Sequence, residues 1–361
     1  MSSSVDDSKK IDFNTKELNL THHDLVGRGL TGIVNLGNTC YMNTMIQLLS
    51  NIPDLTLYFL NGIFRFDCDL ERPKKEYEMC SEYFKVLCGL WEEPKYKITG
   101  IRPTSFKRNF GIHNPIFRGF RQHDCQEALS CLIDLLHTAL AYGVEIESDG
   151  EIINERDKLA VQSIKEWKGF YTKEYSKLVE LLYGQDHTVL KCDDCGHKSH
   201  KFEPFNLLSI PIPNLKSDTL NIYDCLDEYT KDEKLTDGIF KCEKCKSTNI
   251  TKNISLWRIP QYIIIVFKRF DLMMRKKNHF IKYPLMGLNL NKYISGYEDT
   301  FYDLISVGKH LGGMGGGHYI AACKNLDNSF YEYNDLSVEK ITDLKKILSP
   351  SAYVLVYKRR V

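Results

Sequence analysis

This chain has no long apolar run. Its most apolar stretch, Ile263 to Phe267, is far too short to cross a bilayer, so no membrane association is expected. The opening MSSSVDDSKK lacks both the basic head and the apolar centre of a secretory leader. The expectation is therefore a protein of the cytoplasm and/or nucleus that is not secreted. An excess of one charge is missing too. The 48 Lys+Arg against 47 Asp+Glu leave a formal net charge of +1, so no global field draws the chain to nucleic acid. No internal repeat of solenoid period is present.

Twelve cysteines stand out against these absences. With no leader to an oxidising compartment they read as thiols, metal ligands or nucleophiles. Hydrophobic residues at 43% and charged residues at 26% fit an ordinary globular composition, so most of the chain should fold. Residues 1–29 are polar and without sustained periodicity, and read as a flexible extension to a body spanning 30–361. From Gly32 a loop feeds a helix beginning near Cys40, in which Tyr41, Met45, Leu48 and Leu49 recur at helical spacing until Pro53. Further helices are predicted over Glu78 to Trp91 and over His123 to Tyr142, with Gly143 as a stop. Glu145 to Lys158 is charged and turn-rich, and reads as a surface insertion. From Asp186 onward, runs such as YIIIVFKRF, HYIAACK and AYVLVYKR are rich in β-branched and aromatic residues between turn formers. Helices followed by a largely antiparallel sheet give an α+β order.

Two C-x-x-C pairs, Cys192/Cys195 and Cys242/Cys245, lie in KCDDCGHK and KCEKCKS. Each is a tight-turn setting in which two thiolates can meet one tetrahedral zinc. Four sulfurs complete the shell, so the expected metal is one structural zinc bracing two long hairpins, with no catalytic cofactor. Two unrelated turns with buried thiols are the plainer alternative.

Cys40 stands where a loop enters a helix, and there free N–H groups and the helix dipole favour a thiolate. A small buried residue at a helix start would look the same. His318 lies in GGMGGGHYI, whose glycines admit close approach of another backbone. Beyond it a strand, a turn around Asn325 to Asn328 and a strand ending at Tyr333 suggest a hairpin. The midpoint of His318 and Asn334 falls at residue 326, inside that turn, which sets the two opposite each other. A side-chain amide there would hold the imidazole in one tautomer, and Cys-His-Asn is a working solution for acyl transfer. Asp335 is the alternative third member, although strand alternation would point it to the other face. His310 is the rival base but lacks a partner at hairpin spacing, and reads as a polar strand-end histidine. The Cys40 N–H and the Asn35 amide could serve a developing oxyanion. Asn35 and Asn38 share the Gly37 loop, and spacing does not separate a catalytic amide from a turn former.

GIVNLGNTCYMNTMIQLL resembles the Cys box of ubiquitin-specific proteases, and RQHDCQEAL the short block that follows it in that family. LKCDDCGHKSHKFEPFNLLSIPIP and FKCEKC resemble the two zinc knuckles, YIIIVFKRF the strand before the His box, and GGGHYIAACKN, YEYNDLSV and AYVLVYKR the His box and last strands. The resemblance runs from about Gly32 to Lys358. It implies a papain-like core of thumb, palm and zinc-ribbon fingers (about 186–262), formed as one domain that grips ubiquitin and cuts after its C-terminal Gly through a thioester. Cys40 then matches the nucleophile, His318 the base, Asn334 the third member and Asn35 the oxyanion donor. Asp124, Gln126, Glu127, Gly317 and Tyr319 match positions near the basic, Gly-Gly-ended tail of ubiquitin. A carboxylate beside a narrow channel suits such a tail, while an acidic helix N-terminus explains the same residues without a ligand. The expected partners are ubiquitin and ubiquitinated proteins, with no nucleic acid, and the expected state is a monomer. A catalytically silent ubiquitin-binding scaffold, or a protease for another ubiquitin-like modifier, are the alternatives. A zinc-ribbon nucleic-acid binder would need a basic stripe.

Overall fold

Helices occupy the first half of the chain and strands the second, the α+β order expected. The computed structural model describes residues 19–67, 74–91, 100–215, 217–235, 238–270, 273, 275–298, 300–313 and 316–360. Among these the helices are α1 (Cys40–Ser50), α2 (Pro53–Leu60), α3 (Phe64–Asp67), α4 (Lys74–Trp91), α5 (Thr104–His113), α6 (Cys125–Leu140), α7 (Glu155–Tyr171), α8 (Lys177–Leu182) and α9 (Ile222–Tyr229). The strands are β1 (Gly184–Cys192), β2 (Lys198–Phe205), β3 (Leu208–Pro211), β4 (Thr219–Asn221), β5 (Glu233–Leu235), β6 (Ile250–Arg258), β7 (Tyr262–Lys268), β8 (Phe280–Lys282), β9 (Leu288–Asn289), β10 (Phe301–Gly313), β11 (Gly316–Lys324), β12 (Phe330–Asn334), β13 (Ser337–Lys340) and β14 (Ala352–Arg359). No described helix is long and apolar enough to cross a membrane.

The central sheet runs β13-β12-β11-β10-β14-β7-β3, with β9 on β10. It is antiparallel except where β3 joins β7. Both its faces are covered. Ile264, Val266, Val354 and Val356 pack with α1, α4 and α6, while Ile263, Ile265, Phe267 and Leu355 pack with α9 on the other side. That is why YIIIVFK reads as an uninterrupted apolar run: a strand buried on two faces has no polar side to alternate with. Helix α1 lies inside this body and is buried along its whole length. A second sheet, β2-β1-β6-β5, projects from the body.

Several elements differ from the sequence reading. Residues 19–29, expected to be flexible, are laid onto the body. Leu25 is fully buried, Asn61 exchanges two hydrogen bonds with the backbone of Leu20 (2.8 and 2.9 Å), and Gly29 accepts from the Tyr333 hydroxyl (3.0 Å). Leu20 and Leu25 lie among polar residues in LNLTHHDLVG, where the few apolar side chains set up no sustained periodicity. Residues 1–18 of the expected extension lie outside the described residues. Helix α6 begins at Cys125 because Asp124 caps it, its Oδ1 accepting from the N–H groups of Gln126 (2.6 Å) and Glu127 (3.4 Å). The expected insertion runs only to Asn154. There a capping box between Asn154 and Asp157 starts α7, a helix absent from the sequence reading. The short basic clusters are used within the fold: Lys276 donates to the carbonyls of His310 and Gly312, and Arg359 and Arg360 pair with Glu298 and Asp303.

Candidate active site and metal site

The loop Leu36–Thr39 is shaped by Asn35, whose Oδ1 accepts from the N–H groups of Gly37 (2.9 Å) and Thr39 (3.1 Å). Gly37 and Asn38 take positive φ, 111° and 54°, which delivers Cys40 to the first turn of α1. Cys40 is only 4% exposed. Burial raises its thiol pKa above the ordinary value, against the opposing N–H groups of Tyr319, Tyr41 and Cys40 itself, while the Asp335 carboxylate raises it further. The helix start therefore does not by itself make a thiolate here, as the sequence position suggested; desolvation outweighs the dipole.

The hairpin of β11 and β12 brings His318 and Asn334 together, with Nε2 and Oδ1 2.7 Å apart. An amide oxygen can only accept, so Nε2 is the donor in this contact, and in the neutral ring Nδ1 is the nitrogen with the lone pair. The register differs from the expectation. Ala321 pairs with Tyr333 and Lys324 with Phe330, so the connection is two residues longer than a turn centred on 326 allows, and His318 is not directly opposite Asn334. The two side chains meet diagonally at the point where β12 leaves β11 to pair with β13.

Asp335 is not on a strand face at all. It sits in the turn between β12 and β13 with φ 50°, and its carboxylate accepts from Asn35 Nδ2 (3.0 Å) and Asn43 Nδ2 (2.7 Å). Its carbonyl accepts from Ile33 N–H (2.8 Å). One N–H of the Asn35 amide is thus committed to Asp335, leaving the other for a ligand. Cys40 meets the residues that follow both members of the pair, Tyr319 and Asp335. Among the described hydrogen bonds none joins Cys40 to His318.

A cleft of about 520 Å³ opens from Cys40. Asp124, Gln126, Glu127, Gly317 and Tyr319, all chosen from the sequence, line it together. Asp124 is already engaged, its second oxygen accepting from the hydroxyls of Tyr353 (2.8 Å) and Tyr319 (3.4 Å), whereas Glu127 is exposed with its pKa raised by partial burial and by Asp124. Gln122 bridges to Gly317 through both amide atoms, at 3.2 and 3.4 Å. A Cβ at Gly317 would lie 2.1 Å from His310 Nε2, so the glycine is required by packing as well as by access.

His310, read as a polar strand-end residue, is buried and stacks on Tyr319 with centroids 4.5 Å apart. Burial, with Lys276 and Arg269 nearby, pushes its pKa down to about 4, which leaves it a neutral wall of the cleft. Sequence reasoning also passed over Tyr353, Phe270 and Arg269. Arg269 is fully buried and ties the end of β7 to the carbonyls of Ala352, Lys277 and His279. These residues come from separate strands and carry no shared local pattern.

The four cysteines of the projecting sheet converge, with all their Sγ atoms within 4.8 Å of one another. Cys192 to Cys245 is 3.5 Å and Cys195 to Cys242 is 3.6 Å. A tetrahedron with Zn–S bonds of about 2.3 Å has edges of roughly 3.8 Å, so this donor set fits zinc closely, and its closed four-sulfur shell would leave no position for a substrate. The eleven described cysteines are all free thiols. The bracing differs from two long hairpins: β1 and β2 form one, but the second knuckle joins three-residue β5 to β6.

Comparison with known proteins matches residues 31–357 to the family model "Ubiquitin carboxyl-terminal hydrolase". The chain is 34% identical to ubiquitin carboxyl-terminal hydrolase 4 of Vanderwaltozyma polyspora, over 91% of this chain and 41% of that protein. It is 32% identical to ubiquitin carboxyl-terminal hydrolase Usp2 of Drosophila melanogaster, over 93% and 35%. A probable ubiquitin carboxyl-terminal hydrolase of Acanthamoeba polyphaga mimivirus is 31% identical, over 92% and 90%. The chain thus spans about two fifths of the first two relatives and most of the third. Among solved structures, the SAGA deubiquitinase module bound to monoubiquitin shares its fold, with a TM-score of 0.73 at 23% identity over 97% of this chain and 73% of that one. The same module bound to ubiquitin aldehyde gives 0.72 at 23% identity, over 92% and 70%.

Proposed function

This chain belongs to the ubiquitin carboxyl-terminal hydrolase family, and from that premise we propose that it is a thiol-dependent deubiquitinase working through Cys40, His318 and Asn334. The observation that carries the reading is the 2.7 Å contact of His318 Nε2 with Asn334 Oδ1, which turns Nδ1 into the free nitrogen of the ring, in a protein whose α1 starts at Cys40. In the proposed reaction Nδ1 takes the Cys40 proton and the sulfur attacks the carbonyl carbon of ubiquitin's last glycine. The C–N bond then breaks as the imidazolium gives its proton to the departing amine, and a thioester remains. Water, deprotonated by the same nitrogen, attacks the thioester and frees the ubiquitin carboxylate and the thiol. The Cys40 N–H and the uncommitted N–H of Asn35 serve the oxyanion, with Asp335 fixing the Asn35 amide.

The tail of ubiquitin would enter the cleft past Glu127, the carboxylate with free capacity for a basic side chain, while Asp124 builds the wall by capping α6 and holding two tyrosines. Gly317 and Tyr319 would form the narrow crossing for Gly-Gly. Residues 30–361 act as one catalytic domain in this reading, with a structural zinc on Cys192, Cys195, Cys242 and Cys245. Ubiquitin and its conjugates are the partners, the protein works as a monomer, and it resides in the cytoplasm and/or nucleus.

A second reading, a silent ubiquitin-binding scaffold, draws on the raised thiol pKa and the open Cys40–His318 contact. Intact-mass analysis with ubiquitin bearing a C-terminal electrophile, beside C40A and probes of other modifiers, separates the two. An adduct with the ubiquitin probe that needs Cys40 is expected. Binding without an adduct favours the scaffold, and reaction with another modifier alone changes the substrate.

A further inference from the structure

Residues 100–123 contain Arg102, Lys107, Arg108, Arg118 and Arg121 but no Asp or Glu, in a chain whose total charge is +1. Folding does not disperse these cations. Helix α5 and the loop after it form a second cleft, of about 460 Å³, lined by Leu36, Arg102, Lys107, Arg108, Arg118 and Phe120. Among the described residues none of the five cations has a carboxylate partner, whereas Arg359 and Arg360 on the far end of the chain are both paired. Lys107 is buried and donates to the Phe117 carbonyl, and Arg118 Nε donates to Gly111 O at 2.9 Å, so both are fixed without being neutralised. Like charges gathered in one concavity raise its potential, and a counter-charge from outside relieves it. The apolar side chains here are uncovered as well: Phe120 is 62% exposed and Ile112 44%.

The second cleft shares a wall with the first. Leu36 lines one and Asn38 the other, and Asn38 Nδ2 donates to the Phe120 carbonyl (2.9 Å). A Cβ at Gly37 would touch the Phe120 ring at 3.4 Å. With ubiquitin's tail in the first cleft, a chain beyond the scissile bond that crossed the shared Leu36–Asn38 loop would reach these cations. We propose that the α5 cleft binds an acidic segment, with interspersed apolar residues, of the protein to which ubiquitin is joined. The proposal rests on the deubiquitinase reading and names a class of conjugate for it: targets whose modified lysine has acidic surroundings.

The test uses the full chain and ubiquitin joined through an isopeptide bond to acidic, neutral or basic peptides of equal length, beside ubiquitin carrying a small fluorophore. The acidic conjugate should show a KM about tenfold below the neutral one at low salt, a gap that narrows as salt rises. In R102E/R108E, where two positive and two negative side chains would line the cleft, the ratio of the two KM values should fall to about one. Should that variant fold poorly by its melting curve, R102Q/R108Q takes its place. Equal KM values for acidic and neutral conjugates in the unaltered chain overturn the proposal. If not even the fluorophore conjugate is cleaved, the deubiquitinase reading fails instead, and anisotropy of the free acidic peptide still decides the surface: no binding, or binding that survives R102E/R108E, overturns it. A single-stranded oligonucleotide that displaces the peptide at equal charge would make the cleft a general polyanion site and overturn the peptide assignment.

Discussion

Asn334 and Asp335 are neighbours, yet the structure loads them differently. Asn334 is exposed and touches the His318 imidazole, whereas the Asp335 carboxylate accepts from Asn35 and from the buried Asn43. N334A should therefore leave the melting temperature nearly unchanged and lower kcat by about two orders of magnitude, within the range of positioned acid–base catalysis. D335A should lower stability by about 1–3 kcal/mol, because it strands a buried amide donor. Melting curves beside kcat check the pair; a rate loss confined to D335A would reverse the roles of third member and support. G317A must displace His310, and its cost should shrink when His310 is also truncated, a coupling of about 0.5–3 kcal/mol that a double-mutant cycle in denaturant measures. His310 itself is held neutral, its pKa lowered from 6.5 to about 4. A base depressed on folding contributes stability above its unfolded pKa and loses it as pH falls from about 6.5 towards 4. Histidine NMR should accordingly show the His310 ring still neutral at pH 5 beside that of His187, which burial also lowers to about 4, and the one of these signals lost in H310N is assigned to His310.

Elements differ in how much of them local sequence could reveal. The capping box at Asn154 and Asp157 and the cap at Asp124 are local hydrogen-bond patterns, and both were readable from residue types; only the second was read as a helix start. The β11–β12 hairpin was legible, but its register was not, because a connection two residues longer moves every pairing. For the projecting sheet the four cysteines named the site, while the short β5 arm came only from the structure. Since β5 has so few ladder bonds of its own, a metal on the four sulfurs would carry that end of the sheet. Chelation or C192S should release zinc in a ratio of one per chain and speed amide exchange across β1, β2, β5 and β6. Protection in β10, β11 and β14 should persist. Exchange rates that stay unchanged throughout the metal-free protein would refute a structural metal.

The whole molecule closes around a segment that composition assigned to a tail. Leu25 is fully buried, and Arg28 and Gly29 accept hydrogen bonds from Asn325 (2.6 Å) and Tyr333 (3.0 Å) nearly three hundred residues away. L25A should cost about 2–5 kcal/mol, the range for a buried leucine. A chain begun at residue 31 should melt lower than the full chain; equal melting temperatures would refute a role for 19–30. What the sequence by itself determined were features written over short spans: the α+β order, the helix at Cys40, the four-sulfur set, and the hairpin that brings His318 to Asn334. Only the tertiary structure decided that Asp335 turns to Asn35 and Asn43, that His310 is a neutral wall, that Asp124 is spent on a cap and two tyrosines, and that four cations share one cleft. Periodicity and turn chemistry act between residues a few positions apart. Desolvation and charge clustering depend on which distant elements close over a side chain, and that information exists only once the chain has folded.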